Sequence, residues 1–264
     1  MKSRSAALAS LLCLVAAPGH AATPLPFEAV YQIAVKNWKV PGEFENFTGS
    51  QIVRVDKTCT DWTLTAQFRL AAQAASGGGV DFFTDLSGTE SLDGNRYRFR
   101  SETRLRDQTL TLLAGSAARA VSGQTGRIAF SEPEQRTAVL PHDALFPVAS
   151  FVWTARQWER GLKTANYVLF DGTTPEPVRV FELLTGTPAM PSPMPDGDIK
   201  LLDAKGWRTT GSFHKYAGQE SAPLTTLTQT VLANGVATEL SLDIGFADVT
   251  LLLRRIRALK EPRC

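Results

Sequence analysis

Histidine, cysteine and long apolar runs are all scarce in this chain of 264 residues. It has three histidines and three cysteines, none grouped at metal-ligand spacing, so the chain reads as having no metal and no cofactor. No G-x-S-x-G, H-E-x-x-H, P-loop or dinucleotide fingerprint occurs, and the chain reads as a non-enzyme. Charge of one sign is lacking too. The formal net charge is +2, but Lys2 and Arg4 lie in a leader without acids, which leaves 26 basic against 26 acidic side chains. A balanced chain gives no general reason to expect nucleic-acid binding. The longest apolar stretch, Ala6–Ala17, falls short of the ~20 residues that a helix needs to cross a bilayer, so no transmembrane segment is expected.

What is present begins with that leader. Lys2 and Arg4 precede the apolar stretch, Pro18 and Gly19 break it, and Gly19-His20-Ala21 offers small residues for cleavage after Ala21. Residues 1–21 are therefore expected to be a removed signal peptide. Residues 22–264 are expected to form one β-barrel-like domain of an exported, soluble protein. Removal takes Cys13 away and leaves Cys59 and Cys264, an even count that in an exported chain suggests a disulfide. Close C-x-x-C spacing, the mark of a redox-active pair, is absent.

Alternation of period two dominates the mature chain. In Thr63–Leu70 the residues Leu64, Ala66, Phe68 and Leu70 share one face; Ala237–Asp243 alternates likewise with Leu240 and Leu242 inward. Asn234-Gly235 tolerates the positive φ angles of a tight hairpin before that strand. Thr109–Leu113 and Ala117–Val121 read as two strands, and Pro188–Asp198, with four prolines, reads as a loop. One segment is helical: Pro147 suits a first helical position, Val148, Phe151, Val152 and Ala155 recur at helical spacing, Trp158 borders that face, and Gly161 supplies a stop. More than ten strands with one central helix give an all-β fold, a large, strongly curved antiparallel sheet or barrel wrapped around an apolar interior.

Few side chains invite a chemical role. Ser212 and Lys215 match S-x-x-K, but in a strand they point to opposite faces, whereas that chemistry needs a helical turn. His142 lies in a turn and His214 in a strand, each read as an ordinary surface or hydrogen-bonded histidine. Arg96, Arg98, Arg100, Arg104 and Arg106 occupy even positions, opposite Tyr97, Phe99 and Leu105. In a strand they form a basic ladder, read first as a solvated face because Asp81, Asp85 and Glu90 on the preceding strand can pair across it, and second as a grip on an anionic envelope component or an acidic partner. The apolar concave face is assigned to Leu64, Phe68, Leu240 and Leu242, packing against Phe151, Val152 and Trp158. A closed core there favours a scaffold, and a gap of ligand size favours a carrier of lipid or another apolar ligand.

The chain also resembles a known family, the EipB-like periplasmic cell-envelope integrity proteins. The matching residues are Gln51-Ile52-Val53-Arg54-Val55 running to Cys59 and Trp62, then Leu140-Pro141 and Leu145-Phe146-Pro147 before the helix. Asn234-Gly235-Val236, Asp243 and Gly245-Phe246 before Cys264 complete the set. The resemblance extends over Phe27–Cys264. It implies a spiral, open barrel holding a helix, a Cys59–Cys264 bridge, and a non-enzymatic role in envelope integrity under stress. The expected function is binding of an envelope component or a periplasmic protein partner. A lipid carrier is the alternative, and an envelope-polymer hydrolase is the reading with least behind it.

Overall fold

Alternation in the sequence becomes alternation in burial. In β5 (Arg96–Leu105), Tyr97, Phe99 and Ser101 are buried while Arg96, Arg98 and Arg100 are exposed. The computed structural model describes residues 22–39, 44–74, 79–120, 124–188, 190–218, 222–243 and 247–264. Residues 1–21, expected above to be a leader, and Gly77-Gly78, Gly123 and Gly245-Phe246 lie outside the described residues.

The chain opens with three long strands, β1 (Phe27–Trp38), β2 (Phe44–Lys57) and β3 (Asp61–Ala74). After β4 (Gly79–Ser91) and β5 come β6 (Gln108–Ala118), β7 (Gly126–Glu132), β8 (Arg136–Leu140) and β9 (Ala144–Leu145). The helix α1 (Pro147–Glu159) leads into β10 (Thr164–Leu169), β11 (Val178–Gly186) and β12 (Asp196–Gly197). A 3-10 turn (Ile199–Asp203) then precedes β13 (Gly206–Lys215), β14 (Thr225–Leu232), β15 (Ala237–Asp243) and β16 (Ala247–Ala258).

These strands form a single hydrogen-bonded path, β8-β7-β6-β5-β4-β3-β2-β1-β16-β15-β14-β13-β11-β10-β9, with β12 added beside β16. Pairing is antiparallel except for β9 with β10 and β12 with β16. The sheet curls into a nearly closed barrel whose seam lies between β8 and β9, its two path ends. Side chains join what backbone bonds do not. Phe146 stacks on Tyr97 at 5.3 Å and Phe170 meets Phe99 edge-on at 5.2 Å, within a buried cluster that also holds Leu140 and Ala144. Aromatic pairs of this geometry add ~1 kcal/mol each beyond the area they bury. A second cluster, including Phe27, Tyr31, Ile33, Leu251 and Leu253, holds β1 to β16.

Four expectations need correction. Thr109–Leu113 and the start of Ala117–Val121 belong to one strand, β6, which ends at Ala118, because Ala114-Gly115-Ser116 carries a register shift against β7 without breaking it; Val121 lies outside the described residues. A Cβ at Gly115 would lie 2.3 Å from the Ala129 carbonyl oxygen, so the close approach there needs glycine. The proline-rich loop is tethered: it contains β12, and the Asp198 carboxylate accepts the Ala258 N–H at 2.8 Å. In the β14–β15 turn only Gly235 adopts a positive φ, of 89°. The Gly235 N–H donates to the Leu232 carbonyl and the Leu232 N–H to that of Val236, a turn with glycine at the left-handed position. Asn234 serves the tertiary structure instead, donating from Nδ2 to the Leu201 carbonyl at 2.7 Å. Lastly, the inward side of α1 is wider than the expected stripe: Val148, Phe151, Ala155 and Trp158 do face the cavity described below, Ser150 and Thr154 join them, and Val152 does not. Ser150, Thr154, Ala155 and Trp158 are its buried residues, while Phe151 and Val152 are half-buried. Ser150 and Thr154 can be buried because their hydroxyls donate to carbonyls of their own helix.

Candidate functional site

The site is built around the start of α1. Pro147 occupies the first turn and Phe146, at the cap position, offers no side-chain acceptor. The cap comes from β4. Glu90 accepts the Val148 N–H on Oε2 at 2.7 Å and the Ala149 N–H on Oε1 at 2.8 Å, filling two donors that a helix start leaves open. Glu90 is only 3% exposed, and burial pushes its carboxyl up to about 7 against the pull of those two N–H groups. Nearby, the Tyr97 hydroxyl donates to the Asp171 carbonyl at 2.9 Å, and burial raises it above the ordinary phenol range.

Fixed in this way, α1 roofs a cavity of about 240 Å³. One wall comes from the first strands through Phe27, Val55 and Leu64, which register places side by side. The helix contributes Phe151 and Trp158; the opposite wall holds Tyr167, Glu182, Trp207 and Gln229. Glu182 follows Val178 and Val180 on the buried face of β11, a carboxylate where the pattern otherwise places valine. Its Oε1 accepts the Thr209 hydroxyl at 2.6 Å and the Gln229 side-chain amide at 3.4 Å, and its Oε2 accepts the Tyr167 hydroxyl at 3.4 Å. Burial pushes the Glu182 carboxyl up and raises Tyr167 well above its ordinary value. Among the described lining residues Glu182 is the one acid, and no Lys, Arg or His joins it.

Of the residues assigned to the concave face, Leu64, Phe151 and Trp158 meet at this cavity. Phe68, Leu240 and Leu242 instead pack, partly buried, against the β1–β16 core, and Val152 does not line the cavity wall. Sequence reading missed Glu182, Tyr167, Trp207 and Gln229. Glu182 did carry a signal, since it continues the alternation of Val178 and Val180 with a charge.

The arginine ladder faces outward. Arg96, Arg98, Arg100 and Arg104 are exposed on β5, but Arg106 has left the strand for the following turn, with φ at 52° and its guanidinium donating to the Gly79 carbonyl. The acid that meets the ladder is Glu102, 3.4 Å from Arg100 and 3.5 Å from Arg104. Glu90 is directed to the interior and is unavailable to it. Arg104 also lies over the Phe83 ring at 4.8 Å. His214 Nε2 meets the Ser212 hydroxyl at 3.1 Å, and the His142 carbonyl accepts from Arg119. Cys59, in the β2–β3 turn, is bonded to Cys264 with a Cα separation of 5.7 Å, and both residues are exposed. Among the described residues no group of His, Cys, Asp and Glu is arranged to hold a metal, and no helix is long and apolar enough to cross a membrane.

Comparison with known proteins gives the same architecture. The family model described as EipB-like matches residues 18–260. A crystal structure of a β-barrel-like protein of the domain of unknown function DUF1849, from Brucella abortus, superposes with a TM-score of 0.79 at 17% identity, covering 90% of this chain and 99% of that one. At that identity the likeness is one of fold. No curated protein matches the chain.

Proposed function

The chain belongs to the EipB-like family, and from that premise we propose that it is an exported periplasmic protein supporting the cell envelope by binding, without catalysis. In this reading residues 1–21 are a signal peptide lost on export, and residues 22–264 work as one barrel-like domain. The observation that carries it is the cavity beneath α1, an apolar space with one carboxylate in its wall. Ligand sites of this kind are concave, mostly apolar and oriented by a few polar groups. The cavity, at about 240 Å³, lies just below the roughly 300–1,000 Å³ of drug-sized pockets. It suits a small envelope component, or one end of a larger one, better than both chains of a lipid.

Mass spectrometry of an organic extract from protein purified natively from the periplasm tests this. A compound at one copy per chain is expected from the wild type and is expected to vanish in Leu64→Trp, which fills the cavity from β3. An empty wild-type protein, or equal loading of both proteins, would remove the interior site from the proposal.

A second reading, contact with a protein partner, draws on the exposed Arg96–Arg104 run, where Glu102 alone engages two arginines. Changing Arg98, Arg100 and Arg104 together to Glu is expected to abolish a crosslinked species formed from this face in cells. Stability should stay within about 0.5–1 kcal/mol, because surface changes of this kind cost little. A crosslinking pattern identical to that of the wild type would take this face out of consideration.

A further inference from the structure

The geometry points to a quaternary ammonium group as what the cavity under α1 recognises, with Glu182 as its counter-charge and the rings of Trp158, Trp207 and Tyr167 as its walls. This rests on the interior-binding reading and names the chemistry of its ligand.

The argument begins with Glu182, which is 4% exposed. A carboxylate in the interior is normally matched by a basic group, because desolvating an unpaired charge is expensive. Here Thr209, Gln229 and Tyr167 supply neutral hydrogen bonds, and no basic side chain shares the described lining; Lys205 Nζ lies 5.8 Å from the centre of the Trp207 ring but is not part of that lining. Burial accordingly holds the carboxyl above its ordinary range. The site is thus satisfied in hydrogen bonds and deficient in positive charge.

The walls narrow the choice further. Two indoles and a phenol share the lining with Glu182, joined by Phe27 and Phe151. Aromatic faces attract cations through the ring quadrupole, most strongly where the site is desolvated. A primary ammonium would need three acceptors, while the oxygens of Glu182 already accept three donors. A quaternary ammonium has no N–H to satisfy and presents only methyl groups, which apolar and aromatic walls accommodate. Its charge would favour the ionised carboxylate, so binding should strengthen as pH rises through the range of Glu182. The other titratable lining group, Tyr167, stays neutral there because burial raises it well above its ordinary value.

The test uses the protein without its leader and three probes: choline, its neutral isostere 3,3-dimethylbutan-1-ol, and monomeric dihexanoylphosphatidylcholine. Binding is read by calorimetry and by the fluorescence of Trp158 and Trp207. A cationic probe is expected to bind at least about tenfold more tightly than the neutral isostere. Glu182→Gln, which keeps the side-chain shape, is expected to abolish that preference. Binding of choline itself identifies a free cation as sufficient; binding of the phosphatidylcholine alone, with the same dependence on Glu182, identifies a lipid head group. Equal affinity for choline and the isostere would overturn the inference while leaving an interior binding site. A preference unchanged in Glu182→Gln would likewise overturn it. Failure of all three probes, together with an empty native extract, would overturn both this inference and the interior-binding reading.

Discussion

Replacing Cys264 with Ser is expected to lower the stability of the folded chain by about 3–5 kcal/mol. The bridge to Cys59 closes a sequence separation of 205 residues. For a loop of that length the chain-entropy relation gives roughly 5 kcal/mol, as an upper figure. The native side of the balance is local. β16 ends at Ala258, the Leu259 N–H still donates to the Pro26 carbonyl at 3.0 Å, and residues 260–264 lie outside the sheet, so the bridge fastens this tail to the β2–β3 turn across β1 and β2. Without it the tail is expected to fray while β16 keeps its pairing with β1, which removes part of the entropic figure. A domain of this size loses ~2–4 °C of melting temperature per kcal/mol, so a fall of at least about 6 °C is expected. Cys59→Ser and the double variant should show the same loss, since either change opens the same loop. An unchanged melting temperature in all three would show that the bridge does not stabilise the fold. An exported wild-type protein is expected to be two hydrogens lighter than its thiol form and to have no titratable thiol after denaturation.

The second large effect concerns Glu90. Glu90→Ala is expected to cost about 2–4 kcal/mol, because it strands the Val148 and Ala149 N–H groups at a buried helix start. Loss of the cap also frees the end of α1 that fixes the roof of the cavity. Both effects should appear together, as a lower denaturation midpoint and weaker binding of any interior ligand. The same residue gives a pH signature. Its folded pKa of about 7 lies above the ordinary 4.5. A raised acid contributes stability that is fully present below 4.5 and is lost as pH rises through 7. A shift of that size corresponds to roughly 3 kcal/mol. Glu90→Gln cannot titrate. Its stability should therefore fall less than that of the wild type between pH 5 and 8, other groups being common to both proteins. Parallel stability–pH curves would mean that Glu90 does not titrate in this window.

Local patterning made the fold class legible. A strand buried on one face needs only alternation, so Arg96–Ser101 was readable residue by residue, whereas for Ala237–Asp243 the strand was readable but not its burial, since Thr238 is the buried residue and Leu240 and Leu242 are half-buried. The helix was marked by Pro147 and by apolar spacing of three and four. The even cysteine count of the mature chain, with the family resemblance, pointed to the bridge. Order along the chain also placed β8 and β9, the two edges of the seam, close together in sequence.

Other features depend on partners far apart in the chain. Glu90 looked like an acid available to the arginines of β5, since a sequence does not say which face of β4 meets the interior. Curvature of the sheet carries it 58 residues along the chain to the Val148 N–H. The inward helix face is wider than hydropathy marks for a related reason: Ser150 and Thr154 satisfy their own hydroxyls, so polar residues are buried beside Phe151, Ala155 and Trp158. Leu64, Phe68, Leu240 and Leu242 carry the same periodic signal, yet barrel closure sends Leu64 to the cavity and the others to the core beside it. The sequence by itself determined which residues form strands, and therefore a barrel. Tertiary structure alone decided which inward residues border empty space, because a cavity is what remains when side chains from β1–β3, β10, β11, β13–β15 and α1 fail to fill the volume between them.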